Sequence, residues 1–492
     1  MAWPIAVLVA TPVLIGFGSL LARGRRTVEV LQCTQAGAML ASALLVMERV
    51  AGGRLSAGGL LEADALSAWL DLIIGVVGST GTLYAVGYMG EQMARGEVSL
   101  RRYCQFFCLF DLYLAAMLAA VNQDNIAIMW IAIEGSTLSA ALLIGFERSK
   151  PALEAGWKYV ILSSVGIALA LFGTILIYYS SEQVLGVSSE ALRWSRLYQV
   201  VEGLNPAAIK VAFIFALMGY GTKAGIAPMH TWLPDAHAEA PAPVSAMLSA
   251  NMLSLAVYAI LRFKVITDGT VGPEFAGNLL VGFGLLSLTV AATFFLVQRD
   301  FKRLFAYSSI EHIGIVLIGF GFGGAGVFAG AWHLLNHALA KSTAFYGAGL
   351  VLLRHEHRLL DRVPGLLVQM PLAGAAILLA GLALAGLPPF GLFASEVLIA
   401  VEASVMRPAM AGLFLMLLAL AFATLLYQVF RMVLGGPHEA GRPLGRHCRL
   451  FAGAAVGVNV ATLGTIGLNV PPGLTMLLDA LVRLFKPAME MP

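Results

Sequence analysis

Several ionisable residues stand deep inside stretches that are otherwise apolar, and their types and spacing suit the movement of protons. Glu134 lies in IMWIAIEGSTLSAALLIGF and Lys223 in FALMGYGTKAGIAPMHTWLPD. His333, His337 and Lys341 lie in AWHLLNHALAKSTAFYGAG, and Glu396 in AGLPPFGLFASEVLIA. A charged side chain at the centre of a bilayer costs about 2.5–3.5 kcal/mol on insertion scales, so such groups face protein or water. The i, i+4, i+8 spacing of His333, His337 and Lys341 stacks them on one helix face over about 12 Å. A lone histidine there reads as a packed, hydrogen-bonded side chain. Two histidines and a lysine on one face read as a ladder along which protons hop. Glu311 and His312, about two turns into the next stretch upstream, are auxiliary candidates.

Two of the apolar stretches are interrupted by proline at a similar place. Lys223 leads into Ala224-Gly225-Ile226-Ala227-Pro228, and Leu384 into Ala385-Gly386-Leu387-Pro388-Pro389. Asp235 and Glu396 follow at the same offset. Proline frees a carbonyl and breaks a helix, which membranes tolerate only where protein or water re-satisfies the backbone. Broken spans in corresponding positions point to an internally repeated transporter. Proline kinks without a transport role fit the same pattern, but a buried charge beside each break favours transport. His230, Asp235, His237 and Glu239 form a polar loop at the mouth of the first break. It reads as a proton entry vestibule or a solvated loop before it reads as a metal site.

The elements that carry these groups are set by composition. Of 492 residues, 59% are hydrophobic and only 12% charged, against about 45–50% and about 25% in a globular chain. That excludes a soluble enzyme, a disordered tail and a disulfide scaffold. Cys33, Cys104, Cys108 and Cys448 are too scattered for a cluster or zinc site, and no G-x-x-x-x-G-K-[ST] loop occurs. The net charge of +3 implies no nucleic-acid partner. A span needs about 20 apolar residues, and the chain offers about fourteen such stretches, from 2–22 to 450–470. No basic residue precedes the first, while Arg23, Arg25 and Arg26 follow it. It therefore reads as a span, not a cleaved signal, with the N terminus outside. Most of the 31 basic residues then fall in cytoplasmic loops; Lys223 and Lys341 alone fall inside spans. Asp71 and Asp111 read as polar helix contacts. The tail GLTMLLDALVRLFKP is too short and too charged to span and reads as an amphipathic surface helix.

The stretches KAGIAPMHTWLPDAHAEAPAPVSAML, RDFKRLFAYSSIEHIGIVLIGFG, HLLNHALAKSTAFYGAGLVL and GLPPFGLFASEVLI resemble the antiporter-like subunit family. That family comprises the proton-pumping membrane subunits of respiratory complex I, the large subunits of multisubunit cation/proton antiporters, and their relatives in energy-converting hydrogenases. SSIEHIGI is most similar to component F of the hydrogenase-4, formate-hydrogenlyase-type group. The resemblance implies an all-α polytopic membrane protein with about fourteen transmembrane helices. It divides the chain into 1–102 (helices one to three), inverted five-helix repeats at 103–265 and 270–435, and a C-terminal helix and tail at 445–492. The seventh and twelfth helices would be broken.

By the same resemblance, Glu134 and Lys223 form the charged pair of the first half. His333, His337 and Lys341 form the relay of the second, and Glu396 is its outer acid. One departure stands out. The eighth helix of relatives supplies a lysine or histidine, whereas SANMLSLAVYAILRF offers only Ser249, Asn251 and Ser254. Continuity there would rest on water and hydroxyls, with Glu311 and His312 nearby.

The function implied is a proton-translocating subunit of a membrane redox complex, preferably a nickel–iron hydrogenase. A complex I-like subunit, an antiporter without a redox arm (moving protons or sodium) and a docking scaffold are the alternatives. No cofactor is expected in this chain; iron–sulfur and nickel–iron centres would sit in partner subunits. The partners implied are other membrane subunits, a peripheral redox arm and the lipid bilayer. The setting implied is the cytoplasmic (inner) membrane of a bacterium or archaeon.

Overall fold

Where polar side chains can be hidden decides how the helices are arranged. The computed structural model describes residues 3–50, 53–57, 59, 61–436 and 441–485. The first helices are α1 (Trp3–Leu21) and α2 (Arg25–Val50), followed by an antiparallel hairpin, β1 (Leu55–Ala57) and β2 (Leu61–Ala63). Next come α3 (Ala65–Ala94), α4 (Leu100–Val121), α5 (Ile126–Ile144), α6 (Lys150–Leu185) and the short α7 (Trp194–Gln199). The first broken unit is α8 (Pro206–Ala224), α9 (Trp232–Glu239), α10 (Ala242–Met247) and α11 (Leu253–Val271). Then follow α12 (Pro273–Phe295), α13 (Phe301–Phe322), α14 (Ala325–His355) and α15 (Leu366–Gln369). The second broken unit is α16 (Pro371–Leu384) and α17 (Gly391–Met406). It is succeeded by α18 (Pro408–Val433), α19 (Arg446–Leu468) and α20 (Pro472–Leu484).

Many helix starts are written locally. Asp64, Ser99, Asn125, Ser149, Asn205 and Asp300 each cap the helix that follows, accepting from amides of its first turn. Such caps satisfy donors that a helix leaves free. Ser149 and Pro151 start α6 well before the expected 159, giving a helix of 36 residues. Asp64 also does a second job. Its carboxylate takes a two-pronged contact from Arg262 on α11, at 2.5 and 2.7 Å, which ties α3 to α11. Arg262 in turn lies over Trp194, 4.4 Å from the ring centroid. Burial pushes the Asp64 carboxyl up, but the Arg262 charge and the hydrogen bonds from Arg262 and Ser67 outweigh it and hold the group below its usual value.

Every apolar stretch expected to span is helical, and among the described residues twelve helices are long and apolar enough to cross a membrane. Two expected spans are missing from that set. One is the second break, whose halves α16 and α17 are separately short. The other is α14, whose 31 residues include His333, Asn336, His337 and Lys341. The fold answers by burying α14 almost throughout, together with α11 and α13, while α5, α6 and α18 keep large apolar side chains on the outside. Lipid touches the apolar helices and protein surrounds the polar one.

The seventh breaks as expected, stopping at Ala224, where Gly225 turns left-handed (φ 68°), a few residues short of the expected bound at 229. The eighth carries a π-helical turn at Leu248–Met252, between α10 and α11, and Ser249 and Asn251 lie in that turn. Lys302, expected in a cytoplasmic loop, is at a helix end but fully buried; its ammonium caps the carbonyls of Ala238 and Ala240 at 3.0 and 2.6 Å. The tail is helical as α20, which lays Leu474, Leu477, Leu478 and Leu481 on the protein; Lys486 and Pro487 lie outside the described residues.

Candidate functional site

Lys223 occupies the last turn of α8 because the chain must stop there. The freed ends are re-satisfied inside the protein: Trp232 Nε1 donates to the Thr222 carbonyl at 2.7 Å, and Ile226 N to Gly221 at 3.1 Å. Across the break, the Ala227 amide donates to Ser287 Oγ of α12 at 2.9 Å. Lys223 is fully buried, and its Nζ lies 3.9 Å from Oε2 of Glu134 on α5. That contact is loose for an ion pair. Thr137, one turn beyond Glu134, closes it: Lys223 donates to Thr137 Oγ1, which lies 3.0 Å from Glu134 Oε2. Sequence reasoning missed Thr137; its i+3 spacing from Glu134 was the available signal.

The second cluster joins α13, α14 and α17. His333, His337 and Lys341 share one face of α14 as the spacing requires, and all are fully buried. A fourth group from a neighbouring helix joins them. His312 of α13 inserts beside both histidines, its ring 5.1 Å from His333 and 5.4 Å from His337. Its Nδ1 is 2.9 Å from His333 Nε2, and His333 Nδ1 is 2.9 Å from Ser395 Oγ on α17. His312 thus stands at the centre of the cluster's geometry. Glu311 brings a carboxylate oxygen 3.9 Å from His312 Nε2. Ligand atoms of His312, His333 and Glu396 lie within 4.8 Å of one another, a convergence that spacing along the chain could not reveal. Glu396 and Glu311 both line a cavity of about 510 Å³, whose other walls are mostly apolar residues of α17, α18 and the break, such as Val401, Leu418 and Leu384.

Between the two clusters lie the serines of the eighth span. Ser249, on the π turn, is 2.7 Å from Ser309 Oγ of α13. Ser309 donates to the Phe305 carbonyl at 3.1 Å, and Lys341 Nζ donates to the same oxygen at 2.8 Å. Ser249 therefore reaches the lysine of the second cluster through one shared acceptor. Ser254 does not: its hydroxyl turns back to the Ala250 carbonyl of its own helix at 2.5 Å. On the other side, Ser136 meets Met252 Sδ at 3.7 Å. No hydrogen bond joins Lys223 to Ser249 among the described residues.

The polar loop at the first break disperses. Asp235 pairs with Arg303 at 2.5 Å and Lys158 at 3.1 Å, and Glu239 with Arg358 at 2.8 Å. His237 Nδ1 is 2.8 Å from the Leu233 carbonyl, and His230 packs near Tyr307. Among the described residues these side chains do not converge on one point. Asp235 and Glu396 share a sequence offset but not an environment. Asp71 and Asp111 are fully buried contacts, taking Asn122 at 2.8 Å and Gln32 at 2.6 Å.

Residues 123–425 match the family described as NADH:quinone oxidoreductase/Mrp antiporter, TM. The chain is 39% identical over 388 residues to a hydrogenase-4 component F homolog of Methylacidiphilum infernorum (isolate V4), covering 79% of this chain and 82% of that one. Its fold superposes on a chain of the membrane-bound sulfane sulfur reductase, an archaeal respiratory membrane complex. There the TM-score is 0.84 at 22% identity, over 99% of this chain and 98% of the other. A chain of respiratory complex I from Thermus thermophilus gives a TM-score of 0.76 at 26% identity, over 96% and 98%.

Proposed function

This chain is an antiporter-like membrane subunit belonging to the NADH:quinone oxidoreductase/Mrp antiporter family, and we propose that it moves protons for an energy-converting nickel–iron hydrogenase of formate-hydrogenlyase type. The observation that carries the reading is the buried string His312–His333–Ser395 with Glu396 beside it, together with Lys341 on the same helix as His333, sharing the Phe305 carbonyl with Ser309, which meets Ser249. A membrane interior holds such groups only where they work or are paired. The similarity to a hydrogenase-4 component F homolog favours the hydrogenase over a complex I-like subunit or a free antiporter. Its iron–sulfur and nickel–iron centres belong to partner subunits.

In this mechanism Glu134 and Lys223 are the input. While the carboxylate and Thr137 face the ammonium, the charge is held. Stripping a buried ammonium of its partner costs several kcal/mol, so withdrawing Glu134 expels the proton. It passes through water and the Ser249–Ser309 hydroxyls toward Lys341, then His337, His312 and His333, and leaves by way of Glu396. Oxidation and reduction in the partner arm drive the movement of Glu134. The basic residues support an N terminus outside the cytoplasmic membrane: Arg25 reaches the Gly90 carbonyl, Arg95 that of Leu353 and Arg358 that of Ala238, all at one end of the bundle.

The test is Lys223→Met in the assembled complex, reconstituted in vesicles, with redox turnover and acidification measured together. Turnover with proton movement abolished is the expected result. Full proton stoichiometry in the variant would mean that the pair is structural.

A further inference from the structure

A cavity of about 920 Å³ lies between α1, α4, α5 and α6, and none of the groups in the proton route is among its lining residues. Leu20, Leu109, Leu138, Leu142, Leu153 and Trp157 are among its walls, and no aspartate or glutamate lines it. Its open side faces outward, with Leu142 60% and Trp157 67% exposed. Arg102 and Arg148 stand at one end.

Arg102 is held in place without a carboxylate, and Arg148, among the described residues, stands free beside it. The Arg102 guanidinium donates to the Phe146 carbonyl and lies 4.8 Å from the Phe146 ring centroid. Arg148 sits in the turn before α6 with a left-handed backbone (φ 59°), uncommon for a side chain of its size, and is exposed. Neither has an acidic partner among the described residues. Depth matches as well. Leu109 is two turns inward from Arg102 and Leu138 nearly three from Arg148, so the slot runs about 10–15 Å along the helices. That is about the thickness of one leaflet's hydrocarbon.

We propose that this cavity binds an anionic phospholipid, with its phosphate on Arg102 and Arg148 and its acyl chains along Leu109, Leu138, Leu142 and Trp157. Basic pockets between spans take lipid headgroups of this kind. A protein segment suits the slot less well, because among the described residues of its lining only Gln105, Cys108 and the Trp157 indole are uncharged and polar.

The test uses the full chain, delipidated in detergent and offered nanodisc lipids: phosphatidylglycerol or cardiolipin against phosphatidylcholine, with retention read by native mass spectrometry. The anionic lipids should be retained roughly ten-fold better. Arg102→Ala/Arg148→Ala should remove that preference. Arg102→Lys/Arg148→Lys should keep most of it, and Arg101→Ala, outside the lining, should leave it unchanged. A photoreactive residue at Leu142, in membranes carrying the whole complex, should crosslink to lipid; this arm needs neither alanine. Equal retention of phosphatidylcholine, an undiminished preference in the double alanine variant, or a crosslink to a partner protein would each overturn the assignment.

Discussion

At the first charged pair a hydroxyl sits between the two ions, and Thr137 there is as informative as Glu134 or Lys223. A carboxylate 3.9 Å from a buried ammonium makes no direct hydrogen bond. Thr137 accepts from one and faces the other, so it can hand the proton across in either direction. Thr137→Val keeps the shape and removes the hydroxyl. Proton translocation by the reconstituted complex should fall about ten-fold, which corresponds to about 1.4 kcal/mol of barrier, with assembly unchanged. A wild-type rate would reduce Thr137 to packing. Charged residues in apolar sequence announce themselves, which is why Glu134, Lys223 and Lys341 were legible. Threonine is common in helices and carries no such signal. His312 was visible, but its contact with His333 was not, because that partner comes from another helix.

Single helices are joined here by buried polar contacts more than by loops, and Asp64–Arg262 is the clearest case. Asp64→Asn leaves Arg262 buried without its charge partner, and losing one member of such a pair costs about 3–5 kcal/mol. The expected result is a lowered unfolding temperature in detergent with helix content retained beforehand; an unchanged transition would argue that Trp194 alone holds the arginine. The acid dependence has a definite sign. Because the folded-state value of Asp64 is depressed, its contribution is complete above the unfolded carboxyl value, about 3.9, and is lost as pH falls through the lower folded value. In Asp64→Asn this part of the acid sensitivity should vanish. Helix starts were readable because a cap is a local event. The π turn was not, because its reason lies across the interface, where Ser249 meets Ser309 of α13.

For the molecule as a whole the question is whether the two clusters act as one device. Lys341 is fully buried and donates only to the Phe305 carbonyl, so Lys341→Ala removes a charge without orphaning an acidic partner within hydrogen-bonding reach. The complex should assemble, turn over and fail to acidify the vesicle interior. If acidification persists, the chain is a docking scaffold. The class, the spans and the breaks were legible because each is a property of one stretch of chain. The meeting of His312, His333 and Glu396 was not, because it depends on how α13, α14 and α17 pack. The π turn at 248–252 also makes chain length itself a functional variable. Such a turn is an α-helix with a residue to spare. If the same residues wound regularly, everything beyond the turn would rotate by about 100° and Arg262 would swing away from Asp64. Deleting one residue inside 248–252 removes the spare one and should leave that pair in register, whereas deleting one from the regular helix between the turn and Arg262 should be as damaging as the loss of a charge.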